Sequence, residues 1–268
     1  MEVDASQIDG NWIDLAGWRV LCLGETGSTN QDALRLIHQE KGEFVLWAKH
    51  QTAGQGRENR QWHSRADSSL TFSVVLRPTV RERPFLGQFT ALAALALTDW
   101  LEEACGLEAE IKWPNDVLIR GKKVCGLLIE ISWKSAAIEA LILGMGINLR
   151  DGAFEGAGQL RFPATSLQAE GCRIDPPQDI LGELLGFLCQ RRKQIGSKLL
   201  IDEWNQRLAF KGEFRLIRHY QGKTEMLCPV SLNPDGSLNA IDQTGRMRVV
   251  QSAEFTSSES TLEPPSSS

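Results

Sequence analysis

The chain has 268 residues, 42 % of them apolar, and 29 Lys and Arg against 34 Asp and Glu give a net charge of −5. That composition describes a soluble globular protein, long enough for one large domain and a small one. An acidic body argues against the overall basic field of a nucleic-acid binder and fits small anionic ligands met by local Arg and Lys clusters.

Residues 1–17 read as a short N-terminal arm, acidic and polar, unlike a signal peptide. The longest apolar helical stretch is interrupted by Gln88 and Asp99, so no membrane span is expected. Cys22, Cys105, Cys125, Cys172, Cys189 and Cys228 form no Cys-x-x-Cys pair. Most lie in apolar runs and read as buried thiols of a reducing compartment, so the cytoplasm is expected.

Trp18 to Gly24 has a strand pattern. Ser28-Thr29-Asn30 then leads into a helix with Ala33, Leu34 and Ile37 on one face. Thr29 with Asp32 three residues on resembles a capping box. The hydroxyls, the amide and the free N–H groups of such a junction also suit a ligand; plain capping is the competing reading. Phe44 to His50 is the next strand. It runs into a loop, Gln51 to Ser64, with Gly54 and Gly56 two apart and Arg57 and Arg60 three apart. Glycines let backbone N–H groups approach a phosphate, and arginines add bidentate donors. No Gly-Lys-Ser/Thr follows, so this is not a Walker A loop; a mobile surface loop is the competing reading. Ser69 to Arg77 is strand-like. Pro84 opens a helix that runs through Cys105 and ends at Gly106, with Phe85, Phe89, Leu92, Ala96 and Trp100 as its core stripe.

Ile111 to Glu130 reads as a β-hairpin turning at Gly121, with Pro114 fixing a kink at its entry. The turn should return Lys123 to Asp116, gathering Lys112, Asn115, Asp116 and Lys123 at one end of a sheet. Two cations, a carboxylate and an amide there suit a phosphate-bearing ligand with a metal ion; a hairpin whose charges face water is the alternative. Ala137 to Gly146 is a further strand, ending near Asn148, and residues 150–164 look like a loop. Pro177 to Ile195 and Ser197 to Leu208 read as amphipathic helices, with Arg191-Arg192-Lys193 solvated at a helix end. After Phe210, runs at Glu213 to Tyr220, Lys223 to Leu232, Leu238 to Ile241 and Met247 to Gln251 suggest a small β module packed on the main domain. The Ser-, Glu- and Pro-rich segment 256–268 reads as disordered.

Together these stretches resemble the biotin protein ligases, which biotinylate the carrier domains of biotin-dependent carboxylases. The resemblance rests on Ser28-Thr29-Asn30, Gln51 to Arg57, Arg60-Gln61-Trp62, Lys112-Trp113-Pro114-Asn115-Asp116, Lys123-Val124-Cys125-Gly126 and Gly144 to Asn148, in the family's order. It implies an α+β fold: a mixed-sheet catalytic domain of the biotin/lipoate ligase type over residues 18–210, then a small SH3-like β-barrel over 211–255. The implied reaction joins biotin to a lysine of a biotin carboxyl carrier protein, of acetyl-CoA carboxylase or a related carboxylase, through biotinyl-AMP made from ATP with Mg²⁺.

The same resemblance assigns biotin binding to Ser28, Thr29, Asn30, Gln51, Gly54, Gln55, Gly56, Arg57, Lys123 and Gly126. It puts Arg57, Arg60, Trp62, Asn115, Lys123 and Asn148 near the nucleotide, and Arg57, Lys112, Lys123 and Asp116 in catalysis, Asp116 also near Mg²⁺. Many members have Arg where this chain has Gln55, and usually Gly where it has Ala253. About 17 residues before the first strand are too few for a helix-turn-helix, so DNA binding is not expected; a homodimer through a sheet edge is conceivable. A lipoyl or octanoyl transferase ranks below, since those enzymes lack the Lys-Trp-Pro-Asn-Asp run. A non-catalytic biotin- or carrier-binding protein would need no nucleotide-side cations.

Overall fold

The computed structural model describes residues 8–155, 160, 162–219 and 222–256. The Ser-rich tail from 257 on, residues 1–7 and Tyr220 lie outside the described residues. The first sheet has eight strands: β1 (Gly10–Leu15), β2 (Trp18–Thr26), β3 (Phe44–Gln51), β4 (Ser69–Leu76), β5 (Glu110–Lys112), β6 (Asp116–Ile119), β7 (Lys122–Lys134) and β8 (Ala137–Asn148). Their order is β1-β2-β3-β4-β8-β7-β6-β5. Of these strands only β2 and β3 run parallel, joined by helix α1 (Thr29–Leu36) as a crossover, so the sheet is mixed.

Alternation along the strands explains why both faces are covered. In β3, Phe44, Leu46 and Ala48 enter one core with Ala33, Leu36 and Ile37, while Val45 and Trp47 enter the other with α2 (Gln88–Cys105). Successive side chains point to opposite faces, so a strand apolar at every position must be covered on both. Helices α3 (Pro177–Arg192) and α4 (Lys198–Gln206) pack on α2. Gly106, left-handed at φ 63°, ends α2. No helix among the described residues is long and apolar enough to cross a membrane.

The second sheet is antiparallel, with β9 (Arg215–His219), β10 (Thr224–Leu232), β11 (Leu238–Asp242), β12 (Met247–Val250) and β13 (Ala253–Phe255) in the order β12-β11-β10-β9-β13. It packs on the main sheet's helices, as expected of so small a module: Ile217, Leu227, Leu238 and Phe255 share a core with α2. Gln88 and Trp113 donate to the carbonyls of Pro234 and Gly236.

Several expectations need correction. Residues 10–15, read as part of an arm, form an edge strand paired with β2. A separate 3-10 turn, Arg83–Phe85, holds Pro84, and α2 starts only at Gln88. Thr29 and Asp32 form no capping box: Ser28 is the N-cap and makes no side-chain cap bond. Asp32 instead accepts from Thr26 Oγ1 and Arg35. Arg191 and Arg192 are not solvated; they are mostly buried and pair with Asp99 and Glu203, and with Glu43 and Glu82, respectively. Cys105 and Cys172, read as thiols, are joined in a disulfide that ties the end of α2 to the segment after β8.

Candidate functional site

The β6–β7 hairpin turns through Arg120 and Gly121, both left-handed at φ 49° and 72°, the geometry that matches strand twist. Its ladder pairs Asp116 with Gly126 and Val117 with Cys125, then slips so that Leu118 faces Lys123 and Val124 is extra. A bulge of this kind re-aims side chains. In regular register Lys123 would face away from Asp116; with Val124 bulged, both lie on one face.

Lys112, opposite Asp116 in the β5–β6 ladder, joins that face. Lys112 Nζ donates to Asp116 Oδ2 at 2.7 Å, and Lys123 Nζ forms an ion pair with Oδ1 at 2.6 Å. Burial alone would raise the Asp116 carboxyl, but the ammonium groups of Lys112 and Lys123 outweigh it and hold the carboxyl well below its usual range. Lys112 also sits 4.8 Å from the Phe162 ring centroid.

At the N-terminus of α1 the polar groups that reach the pocket, Ser28, Thr29, Asn30 and Gln51, are neutral. Gln51 Oε1 accepts from the Thr29 backbone N–H at 2.7 Å, so β3 supplies the helix cap that Ser28 does not. Ser73 of β4 lies 2.7 Å from Thr29 Oγ1 and 2.5 Å from Asn30 Oδ1. Asn30 Nδ2 donates to Glu130 of β7 at 2.7 Å. The backbone of β8 comes so close that a Cβ on Gly144 would collide with the Asn30 amide.

Residues 54–62 fold back on themselves: Gly56 N–H donates to the Arg60 carbonyl and Trp62 N–H to that of Gly54. This lays the Trp62 indole over the backbones of Gly126 and Gly146, where a Cβ at either position would strike the ring. Lys123 Nζ is 5.5 Å from the ring centroid. Arg60 pairs with Glu254 of β13. Burial lowers its guanidinium, but the bond to Glu254 and the charges of Glu254 and Glu58 outweigh that and raise it.

These pieces line one pocket. Ser28, Thr29, Asn30, Gln51, Gln55, Gly56, Arg57, Arg60, Trp62, Asn115, Asp116, Lys123 and Gly126, all expected site residues, are on its wall. Three others are not. Lys112 is buried behind Asp116, Gly54 packs on the Trp62 carbonyl, and Asn148 donates to the Thr165 carbonyl. The sequence reading missed Glu254, which sits on the wall, and Ser73 and Glu130, which stand behind it. Ser73 shares the buried polar alternation of β4 with Ser69 and Thr71, so nothing local singled it out, and nothing local pointed to the other two. Among the described residues no three His, Cys, Asp or Glu side chains gather as a metal site.

Residues 23–148 match the Biotin/lipoate A/B protein ligase family. That fixes the class: a fold shared by biotin and lipoate ligases. The Biotin--[acetyl-CoA-carboxylase] ligase of Paracoccus denitrificans is 36 % identical over 197 residues, 71 % of this chain and 81 % of that protein. Bifunctional ligase/repressor BirA of Bacillus subtilis (strain 168) is 40 % identical over 164 residues, 60 % of this chain and 50 % of that protein. The solved biotin protein ligase from Aquifex aeolicus, in complex with biotin and ATP, superposes with a TM-score of 0.74 at 27 % identity, covering 88 % of this chain and 97 % of that one. The chain belongs to the biotin protein ligase family. The matched stretch spans about half the length of the Bacillus relatives.

Proposed function

We propose that the protein uses ATP to attach biotin to a lysine of a biotin carboxyl carrier protein, of acetyl-CoA carboxylase or a related carboxylase. One observation carries this reading: sequence-distant segments converge on a pocket with neutral polar groups on part of its wall and Lys123, Arg57 and Arg60 on another. The Aquifex relative, solved with biotin and ATP, supports it.

In the first step biotin's carboxylate attacks the α-phosphate of ATP, and pyrophosphate leaves. The carboxylate is already ionised at neutral pH, so the step needs no base. It needs two repelling anions held together and their charge neutralised, the task assigned to Lys123, Arg57 and Arg60. Asn115 lies near the nucleotide in this reading, and Asn148 supports it from behind the wall. In the second step the carrier lysine attacks the acyl carbon and AMP leaves. A carboxyl held as low as Asp116 is a poor proton acceptor. We therefore assign Asp116 to holding Lys112 and Lys123 in place.

Mg²⁺ is expected to travel with the ATP phosphates. Asp116 does not suit it as a ligand: its carboxylate is buried between two ammonium groups. No step here runs through the metal. The cavity left beside Trp62 is about 130 Å³, small against the roughly 300–1,000 Å³ of ligand sites. Trp62 and the loop of Gly54, Gln55, Gly56 and Arg57 therefore swing aside for the substrates and close over the reactive mixed anhydride.

The return of β13 to pair with β9 makes the first and last strands of the second sheet neighbours, which supports an SH3-like barrel over residues 211–255. The catalytic part is then 18–210, with β1 added to its edge. That exposed edge supports a homodimer, and binding to DNA is not part of this reading. The proposed compartment is the cytoplasm, supported by four free cysteines; the Cys105–Cys172 disulfide counts against it. The deciding experiment is biotin-dependent exchange of pyrophosphate into ATP by the purified chain. No exchange at saturating biotin and ATP sinks the proposal.

A further inference from the structure

From the neutral wall of the pocket a chain of side chains runs inward: Thr29 and Asn30 on the wall, Ser73 buried behind them and Glu130 half-buried beyond Asn30. Ser73 is 0 % exposed and Asn30 4 %. Neither Ser73 nor Glu130 touches the pocket. The donor and acceptor roles along this chain follow from its far end. An ionised carboxylate only accepts, so the Asn30 amide must turn Nδ2 towards Glu130, at 2.7 Å. That leaves Oδ1 facing Ser73, 2.5 Å away, and two oxygens this close need a hydrogen between them. The amide oxygen has none to give, so Ser73 donates its only hydroxyl hydrogen to Asn30. Ser73 Oγ, 2.7 Å from Thr29 Oγ1, must then accept from Thr29. The Thr29 hydroxyl also stands 3.0 Å from Gln51 Oε1, but the closer Ser73 contact has no other hydrogen and takes this one, which is thereby spent inside the protein and leaves the Thr29 oxygen as an acceptor. On the other side Gln51 Oε1 is taken by the Thr29 backbone N–H, leaving Gln51 Nε2 as a donor.

We propose that Glu130 is a positioning residue that sets the hydrogen-bond polarity of this wall, so that Thr29 offers an acceptor beside the Gln51 donor. Such a pair recognises a cyclic urea, which carries N–H donors beside a carbonyl acceptor. The inference rests on the biotin reading above and deepens it. Discrimination by polarity is strong because a ligand of the wrong pattern leaves buried groups unpaired.

The test compares Glu130→Gln and Ser73→Ala, each in the full chain, by biotin-dependent pyrophosphate exchange and thermal unfolding. An amide at position 130 both donates and accepts, so Asn30 and the chain behind it lose their single orientation. The expected result for Glu130→Gln is a KM for biotin raised about 10-fold or more, with kcat and the KM for ATP within about 2-fold of the parent. Ser73→Ala should raise the same KM. An unchanged KM for biotin in Glu130→Gln, whatever its melting temperature, overturns the polarity role, and so does a fall in kcat or a rise in the KM for ATP as large as the rise in the KM for biotin. A parent chain with no biotin-dependent exchange overturns the functional reading itself, and this inference with it.

Discussion

Lys112 and Lys123 stand on a paired hairpin, whereas Arg57 and Arg60 stand on a loop held mainly by its own few backbone bonds. The hairpin lysines share a carboxylate that is itself buried, with Asp116 6 % exposed. Arg60 instead pairs with Glu254 and Glu58, both partly open to water. Glu58 at the loop's apex is a non-glycine residue at φ 56°, a conformation that costs energy. Water competes for an exposed pair but hardly for a buried one, so the first charge cluster is permanent and the second can exchange partners. The proposed reaction, in which two anions enter and the loop then shuts over them, would use both kinds.

The sharpest way to break this contrast is Asp116→Asn. It leaves two ammonium groups facing each other without their anion, and stability should fall by about 3–5 kcal/mol in denaturant titrations. The pH dependence follows. A carboxyl depressed in the folded state stabilises the protein above its unfolded value, about 3.9, and that contribution fades as pH falls through the folded value. The parent should therefore lose stability on acidification below about pH 4, and Asp116→Asn should show a shallower acid slope. A variant as stable as the parent would mean that the lysines do not depend on Asp116.

Arg57→Gly acts on the loop instead. The exchange rate should fall on the order of 10²-fold, while unfolding changes by no more than about 0.5 kcal/mol. Biotinyl-AMP should escape and label bystander proteins; unchanged selectivity in a labelling assay would remove the lid role from the loop.

Gly146→Ala places a methyl where Trp62 lies. The ring must move, and the overpacking should cost about 1–3 kcal/mol. If stability and biotin binding are both untouched, Trp62 does not rest on β8. The smallest effect is expected of Glu254→Gln, which removes a partly exposed partner of Arg60. Stability should shift by about 0.2–1 kcal/mol, and the KM for ATP should drop slightly as Arg60 turns to the nucleotide. A large loss of stability would move this pair into the permanent class.

Much of this was readable along the chain. The hairpin announced itself by two apolar runs around Arg120-Gly121, and α2 by its stripe and its closing Gly106. Asp116 and Lys123 were paired correctly because a turn brings near sequence neighbours together. The β1 edge strand was missed because six half-exposed residues carry little apolar signal. Arg191 and Arg192 were misjudged because their acidic partners come from distant stretches, at Glu43, Glu82, Asp99 and Glu203. Glu254 and Glu130 were missed for the same reason.

Local order determined most of the strands, helices and turns, though not the β1 edge strand or the start of α2, and the supply of cations and glycines in the right loops. Alternation, capping and turn chemistry act within a few residues, and those are written in the sequence. Tertiary structure decided how those groups are partnered. A single bulge at Val124 chose the face on which Lys123 stands, and strand order brought Ser73 and Glu130 behind Thr29 and Asn30. Register and long-range pairing depend on what the rest of the fold places opposite each side chain, and no local window of residues contains that information.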